Sequence, residues 1–236
     1  MAKLILVPTP IGNMEDITLR ALRILQQSDI ILAEDTRKSK MLLLHYNINT
    51  PLIAYHQYNE HQQLNKFIQL ILKYNQVALV TDAGTPGISD PGFLLVRTCI
   101  QNNIAVETLP GATAFVPALV NSGLPCDRFY FYGFLPHKKG RKSTIEQLCE
   151  LTETFVLYES PFRLVKTLEQ ISLIIPDRLL CICRELTKIH EENFRGTAAQ
   201  AVQYFQSKEV KGEIVIIVQG KAQYNKTADT KEEEEE

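Results

Sequence analysis

Apolar residues follow two alternating rhythms along the chain. Short, nearly continuous runs occur at Lys3–Val7, Ile30–Ala33, Leu52–Tyr55, Val77–Thr81 and Ala105–Leu109. Runs of that length, bounded by turn formers, predict buried strands. Between them, apolar positions return every three or four residues. Ile17, Ala21, Ile24 and Leu25 predict a helix over Asp16–Gln27 with Asp16 as its N-cap. Thr36–Tyr46 reads as a second helix. Leu64, Phe67, Ile68, Ile71 and Leu72 form the stripe of a third, and a fourth lies near Gly92–Gln101. Strand–helix alternation of this kind predicts an α/β fold with a parallel sheet.

The stretch PGATAFVPALVNSGLP, residues 110–125, interrupts the rhythm with helix breakers. The pattern then restarts. Strands are expected at Phe129–Gly133, Phe155–Glu159, Leu179–Arg184 and Glu213–Gln219, with the segment around Glu192–Arg195 pairing with Leu179–Arg184. Helices are expected at Ser143–Leu151, Phe162–Ile174 and Ala198–Phe205, and Phe129 and Phe131 are expected in the core. A boundary near residues 117–124 predicts two α/β domains, 1–118 and 119–220, with 221–236 as a disordered acidic tail. One extended α/β domain fits the same pattern.

Composition changes this picture little. The chain has 236 residues, 45% hydrophobic and 22% charged, enough to bury a real core. The formal net charge is -2, but five of the acids form the run Glu232–Glu236, so the mean hides any local basic patch. The cysteines are scattered and odd in number, against a disulfide framework. Cys181 and Cys183, one residue apart in an apolar run, are expected to share one face of a strand as packed thiols. No C-x2-C pair occurs, the histidines show no ligand spacing, and no metal site is expected. The N-terminal MAKLILVPTP lacks the apolar length of a signal peptide, and no run reaches membrane-spanning length. The expected location is the cytoplasm.

Two predicted strands end in glycine-containing loops, VPTPIGN (7–13) and TDAGTPGISDPG (81–92). In an open parallel sheet, ligands sit beyond the carboxyl ends of the strands. Glycine lets a ligand approach main chain and proline fixes the path. The second loop, with Gly84, Pro86, Gly87, Pro91 and Gly92, is therefore a candidate binding loop. No G-x-G-x-x-G follows a strand, and G-x-x-x-x-G-K-[ST], H-E-x-x-H and G-x-S-x-G are absent. Dinucleotide, P-loop and serine-hydrolase readings lose support, and a nucleoside held mainly by backbone remains. Charged residues gather at other strand ends: Glu34, Asp35 and Arg37; Glu159 and Arg163; Arg184, Glu185, Lys188 and His190. Each group also reads as a salt-bridged turn. The densest basic run is HKKGRK, with Lys138, Lys139, Arg141 and Lys142 just after the aromatic FYFYGFLP. Lys and Arg there would meet phosphates, and Phe134 would stack on an unpaired base.

In this order, VPTPIGN, AEDTR, DAGTPGISDPG, LPGATAFVPALVNSGLP, FYGFLP, ESPFRL, CRELTKIHEE and GEIVIIVQG resemble the small-subunit ribosomal RNA 2'-O-methyltransferases that act on cytidine-1402 of 16S rRNA. These lie within the tetrapyrrole methylase, or class III methyltransferase, superfamily. The resemblance spans nearly residues 3–220. It implies two α/β domains of the tetrapyrrole methylase type with S-adenosylmethionine (SAM) in the interdomain cleft. It further implies a homodimer and 16S rRNA or the small ribosomal subunit as partner. By motif, SAM would contact Pro10, Ile11, Gly12, Gly84, Thr85, Pro86, Ile88, Thr113, Ala114 and the region of Leu135. A ribose hydroxyl needs a base to become a nucleophile. Glu34, Asp35, Glu159 and Glu185 are the candidates, with Arg37, Arg163 and Arg184 to hold phosphates or orient them. A tetrapyrrole C-methyltransferase and a non-catalytic RNA-binding assembly factor remain as alternatives.

Overall fold

The computed structural model of the chain describes residues 2–55 and 60–222, and of 60–63 the backbone alone. His56, the side chain of His61 and the acidic tail from residue 223 onward lie outside what is described. The chain divides into two compact units, Met1–Thr113 and Ala114–Glu236.

In the first unit, β1 (Lys3–Leu6), β2 (Ile30–Ala33), β3 (Leu52–Ala54), β4 (Gln76–Val80) and β5 (Ala105–Thr108) form one sheet in the order β3-β2-β4-β1-β5. Every pairing in it is parallel. Parallel strands need crossovers, and the helices that supply them cover both faces. One face buries Leu4, Leu6, Ile30, Leu32, Val77 and Leu79 beneath α3 (Glu60–Ile71) and α4 (Phe93–Gln101). The other buries Ile5, Val7, Ile31, Ala33, Ala78 and Val80 beneath α1 (Leu19–Gln27) and α2 (Thr36–His45). Double coverage is why these strands read as continuous apolar runs rather than as alternation. Asp16 does not cap α1. It ends a short 3-10 turn, Met14–Asp16, and Thr18 caps the helix by accepting from the Ala21 amide at 3.0 Å. Ile17 between them is extended, so the chain must turn once more before the helix begins.

The second unit holds α5 (Phe115–Ser122), β6 (Phe129–Phe134), α6 (Arg141–Cys149), β7 (Thr154–Glu159), α7 (Leu164–Ser172), β8 (Leu179–Arg184), β9 (Glu192–Thr197), α8 (Ala198–Gln206) and β10 (Ile214–Val218). Its sheet runs β6-β7-β10-β8-β9, with β6 parallel to β7 and the other pairs antiparallel. Helices α6, α7 and α8 pack on one face through Ile145, Leu148, Leu164, Leu168, Ile171, Ala201 and Phe205. The punctuated stretch turns out to contain α5. Pro117 falls in its first turn, where a missing N–H costs nothing, and Gly123 closes it at φ +72°. Because α5 packs on β8 and β10, it belongs to the second unit. The units therefore part between Thr113 and Ala114, not at residue 118.

The spacing of Cys181 and Cys183 places both on the face opposite α6–α8. Their sulfurs lie 3.7 Å apart, and the Cys183 sulfur is 3.8 Å from the Ala118 carbonyl of α5. All five cysteines are free thiols, and burial pushes those of Cys99 and Cys149 up to about 11. Phe129 is not a core residue. It lies on an edge strand, 40% exposed, with its ring 6.1 Å from that of Phe115. Residue Lys221, expected in the tail, is ordered: its amide bonds the Leu151 carbonyl and its ammonium pairs with Glu150 at 2.6 Å. Among the described residues, no helix is long and apolar enough to cross a membrane.

The junction of β9 and α8 has no loop at all. Thr197 ends the strand and caps the helix in a reciprocal capping box with Gln200. Thr197→Ala should lower stability by about 1 kcal/mol, seen as a lower urea midpoint with an unchanged slope.

Candidate active site

Strands β1 and β4 are neighbours, yet their chains depart in opposite directions. The chain after β1 enters α1 on one face, and the chain after β4 enters α4 on the other. Such divergence leaves a crevice at the carboxyl edge of a parallel sheet. The two loops that open it are the two singled out in the sequence. They are zipped together by one two-hydrogen-bond bridge: the Thr9 amide to the Gly84 carbonyl and the Gly84 amide to the Thr9 carbonyl, both 2.9 Å. The Thr9 hydroxyl donates to the Thr81 carbonyl at 3.2 Å. A third loop, after β5, closes on the same place. Thr85 donates its hydroxyl to the Ala112 carbonyl at 2.9 Å, and a Cβ on Gly111 would stand 2.6 Å from that of Pro8.

Backbone geometry explains the residue types. Gly84 sits at φ +76°, a conformation that side chains rarely adopt. Ile11 packs beside it, 3.7 Å from where its Cβ would stand. The structure thus brings Ile11, Gly84 and Thr85 together with the segment leading to Thr113. Pro10 and Gly12 flank Ile11. Pro86 and Ile88 lie in the following turn, closed by the Ile88 amide on the Thr85 carbonyl, and Ile88 is exposed. What this crevice presents is main chain, glycine and short apolar side chains. That set suits a nucleoside-like ligand better than a metal ion or a free phosphate. Ala114 begins the second unit. The Leu135 side chain does not line a pocket: it is 1% exposed and packed in the core with α6 and α7, so a ligand could meet only its main chain.

The carboxyl end of β2 joins the same edge. Asp35 caps α2, and Arg37 grips it with Nε at 3.0 Å and Nη2 at 2.7 Å. Those bonds hold the Asp35 carboxyl well below the usual carboxylate range. Asp82, just beyond β4, accepts from the Asp35 amide and from the Lys38 ammonium at 2.6 Å, which raises the lysine. Glu34 accepts from the Asp82 amide at 3.4 Å. The guanidinium of Arg37 stays 89% exposed in this grip.

In the second unit, β6 and β7 run parallel, so the FYGFLP and ESPFR segments end side by side. Glu159 is 2% exposed and fully committed. Its Oε1 accepts from the Ser160 amide and Arg163 Nε, both at 2.7 Å. Its Oε2 accepts from Thr167 at 2.7 Å and from Arg141 at 3.2 Å. A carboxylate has about four acceptor positions, and these bonds fill them. Arg141 is accordingly not part of an RNA-facing surface. It is 6% exposed, and its remaining nitrogens donate to the Gln170 side chain and the Pro136 carbonyl. A buried carboxylate required a buried cation, and this arginine, with Arg163, supplies it. Lys138, Lys139 and Lys142 of the same run are exposed.

Glu185 is also structural in its contacts. Burial raises its carboxyl, but the Lys188 ammonium at 2.8 Å and the Glu213 amide at 2.9 Å outweigh it and leave a net lowering. A Cβ on Gly212 would collide with this side chain. Arg184 points elsewhere, to Glu192 at 2.9 Å. Glu192 also receives the Tyr204 hydroxyl at 2.5 Å and Lys208 at 3.2 Å. Thr9, Pro8, Asp82, Gly111, Thr167 and Glu192 were not singled out from the sequence. Asp82 carried the signal used for Asp35, an acid just past an apolar strand. The others become visible only when distant loops meet.

Fold and site together define an α/β enzyme class: the chain belongs to the Tetrapyrrole (Corrin/Porphyrin) Methylases, whose family model matches residues 3–202. Within that family it is similar to ribosomal RNA small subunit methyltransferase I of Halalkalibacterium halodurans, 48% identical over 92% of this chain and 75% of that protein. It is 44% identical to the protein of that name from Thermotoga maritima, over 94% of this chain and all of the relative. The fold is shared with cobalt precorrin-4 methyltransferase, a cobalamin biosynthetic enzyme, at a TM-score of 0.69 and 16% identity, covering 92% of this chain and 94% of that one. Diphthine synthase aligns at 0.75 with 12% identity, over 93% and 90% of the two chains.

Tyr204 foremost, then Arg184 and Lys208, pull Glu192 down to about 2 against the opposing effect of burial. An unfolded glutamate titrates near 4.3, so this contribution is complete above about pH 4.3 and disappears as pH falls toward 2. Glu192→Gln should therefore be less stable than the parent at neutral pH and lose less stability on acidification through that window, as read by chemical denaturation at each pH.

Proposed function

We propose that this chain is a SAM-dependent methyltransferase that places a methyl group on the 2'-oxygen of a cytidine ribose in 16S rRNA of the small ribosomal subunit. The single observation that carries this reading is the high identity, sustained over more than nine-tenths of the chain, to enzymes named for small-subunit rRNA methylation. Cytidine-1402 is the proposed target. The enzyme works in the cytoplasm as a homodimer. Its partner is free 16S rRNA or the assembled subunit.

The main-chain crevice between the loops of β1, β4 and β5 fits the cofactor, with Pro10, Ile11, Gly12, Gly84, Thr85, Pro86, Ile88 and Thr113 as its residues. When bound, SAM supplies an electrophilic methyl carbon on a sulfonium. The protein must align a ribose hydroxyl and accept its proton. The carboxylates of Asp35, Glu185 and Glu159 are already engaged by neighbouring cations, amides and a hydroxyl. Asp35, Glu185 and Glu159 are therefore positioning residues. Asp35 orients Arg37, and Glu159 orients Arg163, so that each guanidinium meets phosphate without first losing side-chain freedom. Arg184 holds Glu192 rather than substrate. Glu34, at the end of β2, takes the proton. Lys138, Lys139 and Lys142 face the RNA.

Labelled SAM incubated with small subunits or free 16S rRNA tests the reading. Label is expected on a cytidine ribose; label elsewhere in the RNA, or none at all, rejects it. Glu34→Gln should lower transfer at least about 100-fold at neutral pH, the scale of a lost general base, while calorimetric SAM affinity holds. Gly84→Val should weaken SAM binding more than it weakens folding, read by calorimetry beside chemical denaturation. Neutralising Lys138, Lys139 and Lys142 together should flatten the slope of log RNA affinity against log salt by about 2, at roughly 0.7 per single-stranded phosphate contact. SAM affinity in that variant should not move.

A further inference from the structure

Phe162 is the one aromatic among the described residues held almost wholly in water, at 96% exposure. Folding normally buries such a ring. It is not on a loose segment. Ser160 and Arg163 on either side are both bonded to buried Glu159, the Arg163 amide closes the turn on the Ser160 carbonyl at 3.0 Å, and Pro161 fixes the approach. The ring is thus presented by a rigid support. Arg163 Nη1 lies 3.0 Å from His137 Nδ1, which ties this turn to the basic loop. Segments 137–142 and 161–166 contain no acid, and their Lys138, Lys139, Lys142 and Lys166 are exposed, while Arg141 and Arg163 are held by Glu159. A second exposed aromatic, Phe134, ends the neighbouring strand β6.

We propose that Phe162 is a stacking platform for an unpaired base of the RNA substrate, beside lysines that neutralise the adjoining phosphates. The proposal rests on the RNA-methylating reading above and deepens it. An exposed apolar ring on a turn tied to a lysine-bearing loop fits a ligand that alternates flat faces with negative charge, which a single-stranded nucleic acid does. A duplex offers no free base face. A second copy of the chain would bring the same cationic segments against themselves across a two-fold axis, and like charges oppose that contact.

The chain contains no tryptophan. In the full-length Phe162→Trp protein, all indole fluorescence therefore reports on this position. Titration with a single-stranded 16S rRNA fragment containing the target cytidine should quench it, and SAM alone should not. Phe162→Leu, apolar but unable to stack, should raise the KM for that RNA about 5- to 150-fold, the range for a lost base stack, with SAM affinity unchanged. If wild-type protein methylates the RNA while the indole does not respond, or while the leucine variant keeps the parental KM, the proposal fails alone. Emission that shifts with protein concentration before RNA is added assigns the ring to a second copy and overturns the proposal. Wild-type protein that transfers no methyl to RNA overturns the functional reading, and this proposal with it.

Discussion

The paired backbone bonds between Thr9 and Gly84 set the character of the first unit. Adjacent strands β1 and β4 send their chains to opposite faces. Two hydrogen bonds, formed because Gly84 can hold φ +76°, keep them at strand spacing for one further residue pair. Gly111 against Pro8 and Thr85 against Ala112 then draw the third loop onto the same point. Gly111 has no room for a Cβ beside Pro8, and the positive φ of Gly84 holds that position to glycine, so these loops present main chain to the crevice.

The charged strand ends follow a different logic. In both units, carboxylates that looked like bases are used to hold cations. Asp35 aligns Arg37 at the surface, whereas Glu159 sits inside the protein and needs both Arg141 and Arg163. The difference is one of solvation. An exposed pair contributes little to stability but directs a guanidinium outward. A buried carboxylate must be compensated in full, or its desolvation would cost several kcal/mol. Arg141 was drawn inward by that demand, out of a run whose lysines stay in water. The same ionic cluster gives the Phe162 turn its rigidity.

The division of the chain also rests on packing. Helix α5 lies in a stretch with three prolines and two glycines, which reads as a linker. Pro117 is harmless only because it occupies the first turn, and α5 joins the second unit only because its residues meet β8 and β10. No local pattern distinguishes that outcome from a boundary within the segment.

From the sequence alone came the α/β rhythm, nearly every strand and helix, the two glycine loops and the shared face of Cys181 and Cys183. These depend on period and on intrinsic backbone preference, which are local properties. The N-cap of α1 was misplaced because Asp16 and Thr18 are both good caps two residues apart, and only the 3-10 turn distinguishes them. Tertiary structure alone decided which carboxylates are saturated, that Arg141 and Leu135 face the core, that Phe129 is not covered, and that loops from three strands converge. Each of these is a matter of what lies within a few ångströms after residues far apart in the chain have come together. The sequence lists the groups, but their solvation and their partners arise only on folding.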